Sequence, residues 1–291
     1  MLFRAKCFIL SDTILNVSSS KPVLLIGYDV ETQHRSDTTV KFLELAPKIH
    51  DEYGAPCTFF VLGKTLIYHL NEFKRVKEKY SHLIDFQQHT FSHILFKTLV
   101  IEYRGNKLIK GAHPKEIEAE VRITSELLKA LLGVECIGLT APWGCYRGLL
   151  DMPDLLEALW RIGIRFTRSW ERNERDSPPV SLDIQPFWYD EYVPTYPPIL
   201  EFPIQGWHDN ALKERHKSRE EYLDYVKKTI DYIAEKNLVW CYVQHDHSSF
   251  WKDPEMKIVK EMVKYALDKG VQIMSYKEFY LKKAKERGLI K

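Results

Sequence analysis

The sequence is short of cysteine, of long apolar runs and of any excess of one charge, and each shortage removes a class of protein. Its five cysteines, Cys7, Cys57, Cys136, Cys145 and Cys241, are odd in number and show no C-x-x-C spacing. That argues against a disulfide framework or a thiolate zinc site, and for thiols kept reduced. No stretch approaches the ~20 apolar residues of a membrane span. The apolar run after Arg4 and Lys6 is interrupted by Ser11 and Asp12, so it makes a poor signal peptide. Forty-two basic against 40 acidic residues leave a net charge of +2, too balanced for bulk electrostatic binding to nucleic acid. There is no internal repeat and no low-complexity tract. The expectation is a soluble, cytoplasmic protein with neither a membrane nor a nucleic-acid partner, in which residues 1–20 extend a single domain over residues 21–291.

What the chain does have is a hydrophobic share of 45% and a charged share of 28% over 291 residues, enough to bury a large core and unlike disordered or collagenous sequences. Its aromatic share of 13%, with 7 Trp and 16 Tyr, fits either a stiff core or a ligand groove. Short β-rich apolar runs alternate with helical periodicity, the pattern of parallel βα units. The strand candidates are Val23–Asp29, Cys57–Leu62, Leu83–Gln87, Cys136–Ala141, Ile164–Ser169, Ile199–Pro203, Val239–Gln244 and Val271–Met274. Among the helices, Pro114 begins one that carries Ile117, Val121, Leu128 and Leu132 and stops at Gly133. Ser218 and Glu221 form a capping box, while Asp253 and Pro254 open a helix that Gly270 closes. Such alternation predicts an α/β fold with a closed or nearly closed barrel, an open doubly wound sheet being the alternative. Residues 173–198 break the rhythm with Pro-rich sequence, Trp188 and three tyrosines, and read as a lid, a binding loop or a solvated excursion.

Active sites of such folds lie at the carboxyl ends of the strands. There the first strand ends in Asp29-Val30-Glu31, whose two carboxylates alternation turns toward one side, where they repel unless a cation or proton lies between them. The third strand runs into His89-Thr90-Phe91-Ser92-His93, an H-x-x-x-H spacing that would put both imidazoles on one face of a helical turn. Two nitrogens and one or two oxygens make a good donor set for Zn²⁺ or a similar ion. At the end of Val239–Gln244 stand His245 and His247, which alternation sends in opposite directions. The one nearer the strand, His245, is the candidate proton donor. The turn Thr140-Ala141-Pro142-Trp143-Gly144 offers backbone N–H groups to an oxyanion.

Taken together these motifs resemble the polysaccharide deacetylase family, carbohydrate esterase family four. Asp29-Val30-Glu31 resembles its first motif, and His89-Thr90-Phe91-Ser92-His93 its H-[ST]-x-x-H motif. Cys57-Thr58-Phe59-Phe60-Val61-Leu62-Gly63 is similar to its second strand. Ala141-Pro142-Trp143-Gly144, Trp207 and His245-Asp246 are similar to its later motifs in the expected order. The resemblance implies a distorted (β/α) barrel of seven or eight parallel strands and a hydrolase that removes N-acetyl groups from an amino sugar or glycan. It implies that Glu31, His89 and His93 hold a divalent metal, Zn²⁺ foremost, that Asp29 is the base and His245 the acid, and that Pro142, Trp143 and Trp207 line the substrate. The partner is then a small molecule or glycan. Three departures mark the sequence as divergent. The metal acid is Glu31, one residue further from Asp29 than in the commonest form. Thr140 stands where the family has an Arg that orients the base, leaving Arg147, Arg165 and Arg168 as replacements. The fourth motif is degraded, so that His208 competes with His245 as acid. Other C–N hydrolysis on the same fold, or a decayed carbohydrate-binding protein, are the alternatives.

Overall fold

Every residue of Val23–Val30, the first strand (β1), is buried, and its alternation feeds two separate cores. Leu24, Ile26, Tyr28 and Val30 join a helix-facing cluster, while Val23 and Leu25 pack with Phe60, Phe166, Phe202 and Tyr276 inside the curl of the sheet. A strand buried on both faces reads as a continuous apolar run. Asp29 has the parity of Val23 and Leu25, so it continues the inner row.

The computed structural model describes residues 21–101, 107–210, 218–248 and 253–291. The expected extension over residues 1–20 and Cys7 lie outside the described residues. After β1 come α1 (Asp37–Tyr53), β2 (Cys57–Val61), α2 (Gly63–Tyr68), α3 (Leu70–Tyr80) and β3 (Ile84–Gln88), then the hairpin β4 (Leu99–Ile101) and β5 (Lys107–Ile109). The chain continues through α4 (Pro114–Leu132), β6 (Gly138–Tyr146), α5 (Pro153–Arg161), β7 (Phe166–Arg172), β8 (Phe187–Trp188), α6 (Tyr189–Tyr192) and β9 (Leu200–Glu201). It closes with α7 (Arg219–Lys236), β10 (Val239–His245), α8 (Lys257–Asp268), β11 (Gln272–Met274) and α9 (Tyr276–Glu286).

The main sheet runs β10-β1-β2-β3-β6-β7-β9-β8, with β11 also on β1. Each of the eight expected strands is present, and all of them pair in parallel. The ninth, β8, is antiparallel to β9. Local chemistry explains most helix ends. His113 and Glu116 form a capping box at α4, whose C-cap Gly133 takes φ 65°. Ser218 Oγ accepts from Glu221 N at 3.2 Å. The last expected start moves: α8 begins at Lys257, because Asp253 accepts from Ile258 N at 2.8 Å and Met256 turns left-handed at φ 50°.

Among the described residues, strand pairing does not close the barrel. Between β10 and the far end of the sheet, two glutamines supply what a strand would. The Gln185 side chain accepts from Val239 N at 2.7 Å and donates to Val239 O at 3.0 Å. Gln205 Oε1 accepts from Cys241 N at 2.8 Å, and Gln205 N donates to Cys241 O at 3.3 Å. The sheet is thus the curled, nearly closed half-barrel that the alternation predicts, and the 173–198 segment, read from sequence as a lid, binding loop or excursion, contributes to its seam, with Phe187, Trp188 and Tyr189 buried. Gln185→Ala would leave a buried N–H and C=O of β10 without a partner, at a cost of about 1–3 kcal/mol for each unsatisfied group. Urea unfolding should register that loss.

Candidate active site

The carboxyl ends of β1, β3, β7 and β10 meet at one rim of this sheet. Asp29 and His245 are register partners on β1 and β10, so their side chains share a face. Glu31, just past β1, is fixed through its backbone: Asp246 accepts from Glu31 N at 3.2 Å and from Thr39 Oγ1 at 2.5 Å.

His89 and His93 do meet, though by another route than a helical turn. The segment after β3 is irregular, and Thr90 and His93 both adopt left-handed φ values, 64° and 66°. For residues with a side chain this costs on the order of 1–2 kcal/mol each. The result is that Nε2 of both imidazoles lies 3.0 Å from the same Glu31 oxygen. Three ligand atoms of Glu31, His89 and His93 fall within 4.8 Å of one another, as do those of Asp29, Glu31 and His245.

Proton accounting tests whether this set suits a cation. His89 Nδ1 lies 3.0 Å from the Thr140 carbonyl oxygen, which can only accept, so Nδ1 carries the proton. Nε2 then either takes a second proton or presents a lone pair toward a positive charge. Without an ion, burial opposes the charged forms, but His93 and His89 hold Glu31 well below the usual carboxylate range, and Asp29 and Glu31 hold His89 above its ordinary value. A divalent cation satisfies the same demand. Two nitrogens and a carboxylate leave a position open, so the residues fit.

Asp29 has a buried counter-ion. Arg168 Nη2 donates to Asp29 Oδ1 in a very short contact, and both side chains are almost fully buried. Of the three sequence candidates, Arg168 is therefore the arginine beside Asp29. Its position follows from register: Thr140 on β6 pairs with Arg168 on β7, and Thr140 Oγ1 accepts from Arg168 Nε at 3.0 Å. The guanidinium lies 4.3 Å over the Phe60 ring. A Cβ at Gly27 would stand 2.6 Å from Arg168 Nη1, so this glycine keeps the space open.

His245 and His208 share one carboxylate. Asp209 accepts from His245 N at 2.9 Å and lies 2.8 Å from His245 Nδ1. Ser248 Oγ also donates to Asp209. His208 Nε2 is 3.2 Å from Glu171, and its Nδ1 is 3.7 Å from Asp209. Burial disfavours both imidazoliums, yet Asp209 holds His245 well above its ordinary value, and Asp209 with Glu171 lifts His208 to about 9. Glu171 falls to about 2, since His208 outweighs its burial. His245 is thus the histidine beside Asp29 and Glu31, with His208 behind it. His247 Nδ1 also approaches Glu31, at 4.0 Å, from a more exposed position.

The expected turn at Thr140–Gly144 is instead a bulge inside a longer strand. Trp143 and Gly144 take φ 66° and 53°, and pairing with β7 resumes at Cys145 and Tyr146. The bulge carries Trp143 to His93, with ring centroids 6.0 Å apart, and Pro142 sits beside it. Trp207 packs against the large helix-facing core, its backbone held by Tyr225 and Tyr222. Sequence reading gave no role to Glu171, nor to Asp209 as the carboxylate on His245. Adjacency to His208 was the only local signal for Asp209.

Residues 17–155 match the family described as polysaccharide deacetylase. Over that stretch, just under half of the chain, the sequence is similar to the family. The polysaccharide deacetylase fold extends over nearly the whole sequence: a probable polysaccharide deacetylase from Pseudomonas aeruginosa PAO1 superposes with TM-score 0.65 at 12% identity, covering 92% of each chain. PuuE allantoinase superposes equally well, TM-score 0.65 at 11% identity, over 89% of this chain and 88% of that one. BA3943 of Bacillus anthracis, a pseudoenzyme of the same family, gives 0.55 at 12% identity, over 90% of this chain and 66% of its own. At such identities the likeness is one of fold. No curated protein sequence matches. Among the described residues no helix is long and apolar enough to cross a membrane.

Proposed function

We propose that this protein is a metal-dependent hydrolase that removes N-acetyl groups from an amino sugar or glycan. The observation that carries the reading is the convergence of both imidazoles on one Glu31 oxygen, 3.0 Å from each, beside Asp29 and His245. Glu31, His89 and His93 would hold the ion, which we take as Zn²⁺. When bound, such an ion polarises a carbonyl and brings the acidity of water toward neutrality. Asp29, oriented by Arg168, accepts the proton of the attacking water. His245, kept in its acid form by Asp209, protonates the departing amine, a contribution of ~10²–10⁴-fold for a well-placed acid. We assign the Trp143–Gly144 bulge to the oxyanion, Pro142 and Trp143 to the acyl group, and Trp207 to the sugar. The four described cysteines are free, in keeping with a cytoplasmic setting and a small-molecule or glycan substrate.

The deciding experiment is metal analysis followed by acetate release from a panel of N-acetylated sugars. Metal-free protein whose amide hydrolysis is indifferent to EDTA would end the zinc reading and favour another C–N hydrolysis. Glycan binding without any acetate release would favour the decayed binding protein.

The His245–Asp209 pair also predicts a pH profile. His245 must be protonated to act, and its pKa is raised above 6.5 chiefly by Asp209, against burial. Activity should therefore persist above pH 6.5 and fall only as the pH climbs through that raised value. Asp209→Asn should move this alkaline limb toward acid, readable in kcat against pH. A limb unchanged by the substitution would remove His245 from the role.

A further inference from the structure

We propose that Glu120, on α4, is a positioning residue for the metal-binding loop, setting His93 against Glu31 without itself touching the ion. This rests on the metal reading above and adds a residue to it. Between the two histidines lie Phe91 and Ser92, and the Glu120 side chain takes hold of both. Glu120 Oε2 accepts from Phe91 N at 3.0 Å and from Ser92 N at 2.7 Å, and Oε1 accepts from Ser92 Oγ at 2.6 Å. Two successive N–H groups aimed at one oxygen need the chain to curl, and the left-handed conformations of Thr90 and His93 provide that curl.

The remaining ties on this loop come from backbone and from the loop itself. Gly63 N donates to Thr90 O at 2.9 Å and Lys64 N to Phe91 O at 3.1 Å, while Thr90 Oγ1 accepts from His93 N at 3.2 Å. The loop sits so close to the start of α2 that a Cβ on Gly63 would collide with the Phe91 ring. These contacts hold Thr90 and Phe91 from the α2 side and the His93 N–H from within the loop. Glu120 acts from α4 on the two residues immediately before His93, whose own backbone is left-handed. Glu120 is half-buried and borders the packed face of α4 at Val121 and Thr124, so stability is read alongside affinity.

The test uses Co²⁺ as the probe, with affinity by competition, the visible absorption of the cobalt protein, and the melting temperature of the metal-free chain. Glu120→Ala should weaken Co²⁺ binding by about 10–100-fold, the usual cost of losing a partner behind a metal ligand, and should change the absorption band. Glu120→Gln keeps a carbonyl oxygen for both N–H groups and should recover most of the loss. Ser92→Ala, which removes only the Oε1 contact, should shift affinity in the same direction by less. These two variants carry the test if Glu120→Ala fails to fold. Glu118→Ala, on the same helix and paired with Arg122, should bind as wild type. Wild-type affinity and spectrum in Glu120→Ala, or equal losses in Glu120→Gln and Glu118→Ala, would overturn the proposal while leaving the metal site standing. A wild-type chain that does not bind Co²⁺ would overturn both.

Discussion

Arg168→Met should destabilise the protein by about 3–5 kcal/mol, because it leaves the buried Asp29 carboxylate without its counter-ion. Both side chains are nearly inaccessible to water, so solvent cannot replace the guanidinium. The loss of its orienting partner should also lower the rate of acetate release. Register suggests a rescue. Positions 140 and 168 are side by side on β6 and β7, so the double exchange Thr140→Arg with Arg168→Thr launches the same guanidinium from the neighbouring strand. It should restore stability and part of the activity together. Thr140→Arg alone crowds two guanidiniums beside one carboxylate and should help nothing. Urea unfolding and the rate of acetate release measure both effects, and an Arg168→Met variant with wild-type stability and activity would separate this arginine from Asp29.

The other large effect divides base from metal ligand. Asp29→Asn should cut the rate of acetate release by ~10²–10⁴-fold, the range for loss of a general base, with metal content unchanged. His89→Ala should instead lose the metal and activity together, since two donors bind a divalent ion far less well than three. Stability is to be measured alongside, because Asp29→Asn leaves Arg168 charged and buried, although the new amide can still accept one of its hydrogen bonds. An Asp29→Asn variant that releases acetate at the wild-type rate would move the base elsewhere.

Much of this arrangement was legible in the chain because it is local. The eight parallel strands announce themselves as short apolar runs, α4 by its spacing between Pro114 and Gly133, and the ligand set by polar residues placed where apolar runs stop. The expectation of a helical turn between His89 and His93 failed because spacing alone does not distinguish a helix from a curl built on two left-handed residues. The two imidazoles meet all the same, since a four-residue spacing in either conformation brings them near one another. The bulge at Trp143 was hidden for a similar reason: Pro and Gly signal departure from a regular strand, but only renewed pairing at Cys145 shows that the strand goes on.

By itself, then, the sequence determined the eight parallel strands, the helix between Pro114 and Gly133, and which polar side chains stand at the strand ends. These depend on periodicity and on contacts within a few residues. Tertiary structure decided the choice among Arg147, Arg165 and Arg168, the sharing of Asp209 by two histidines, the seam made by Gln185 and Gln205, and the hold of Glu120 on the metal-binding loop. Each of those joins residues far apart in the chain, and their meeting is set by strand register and packing, which no single stretch of sequence encodes.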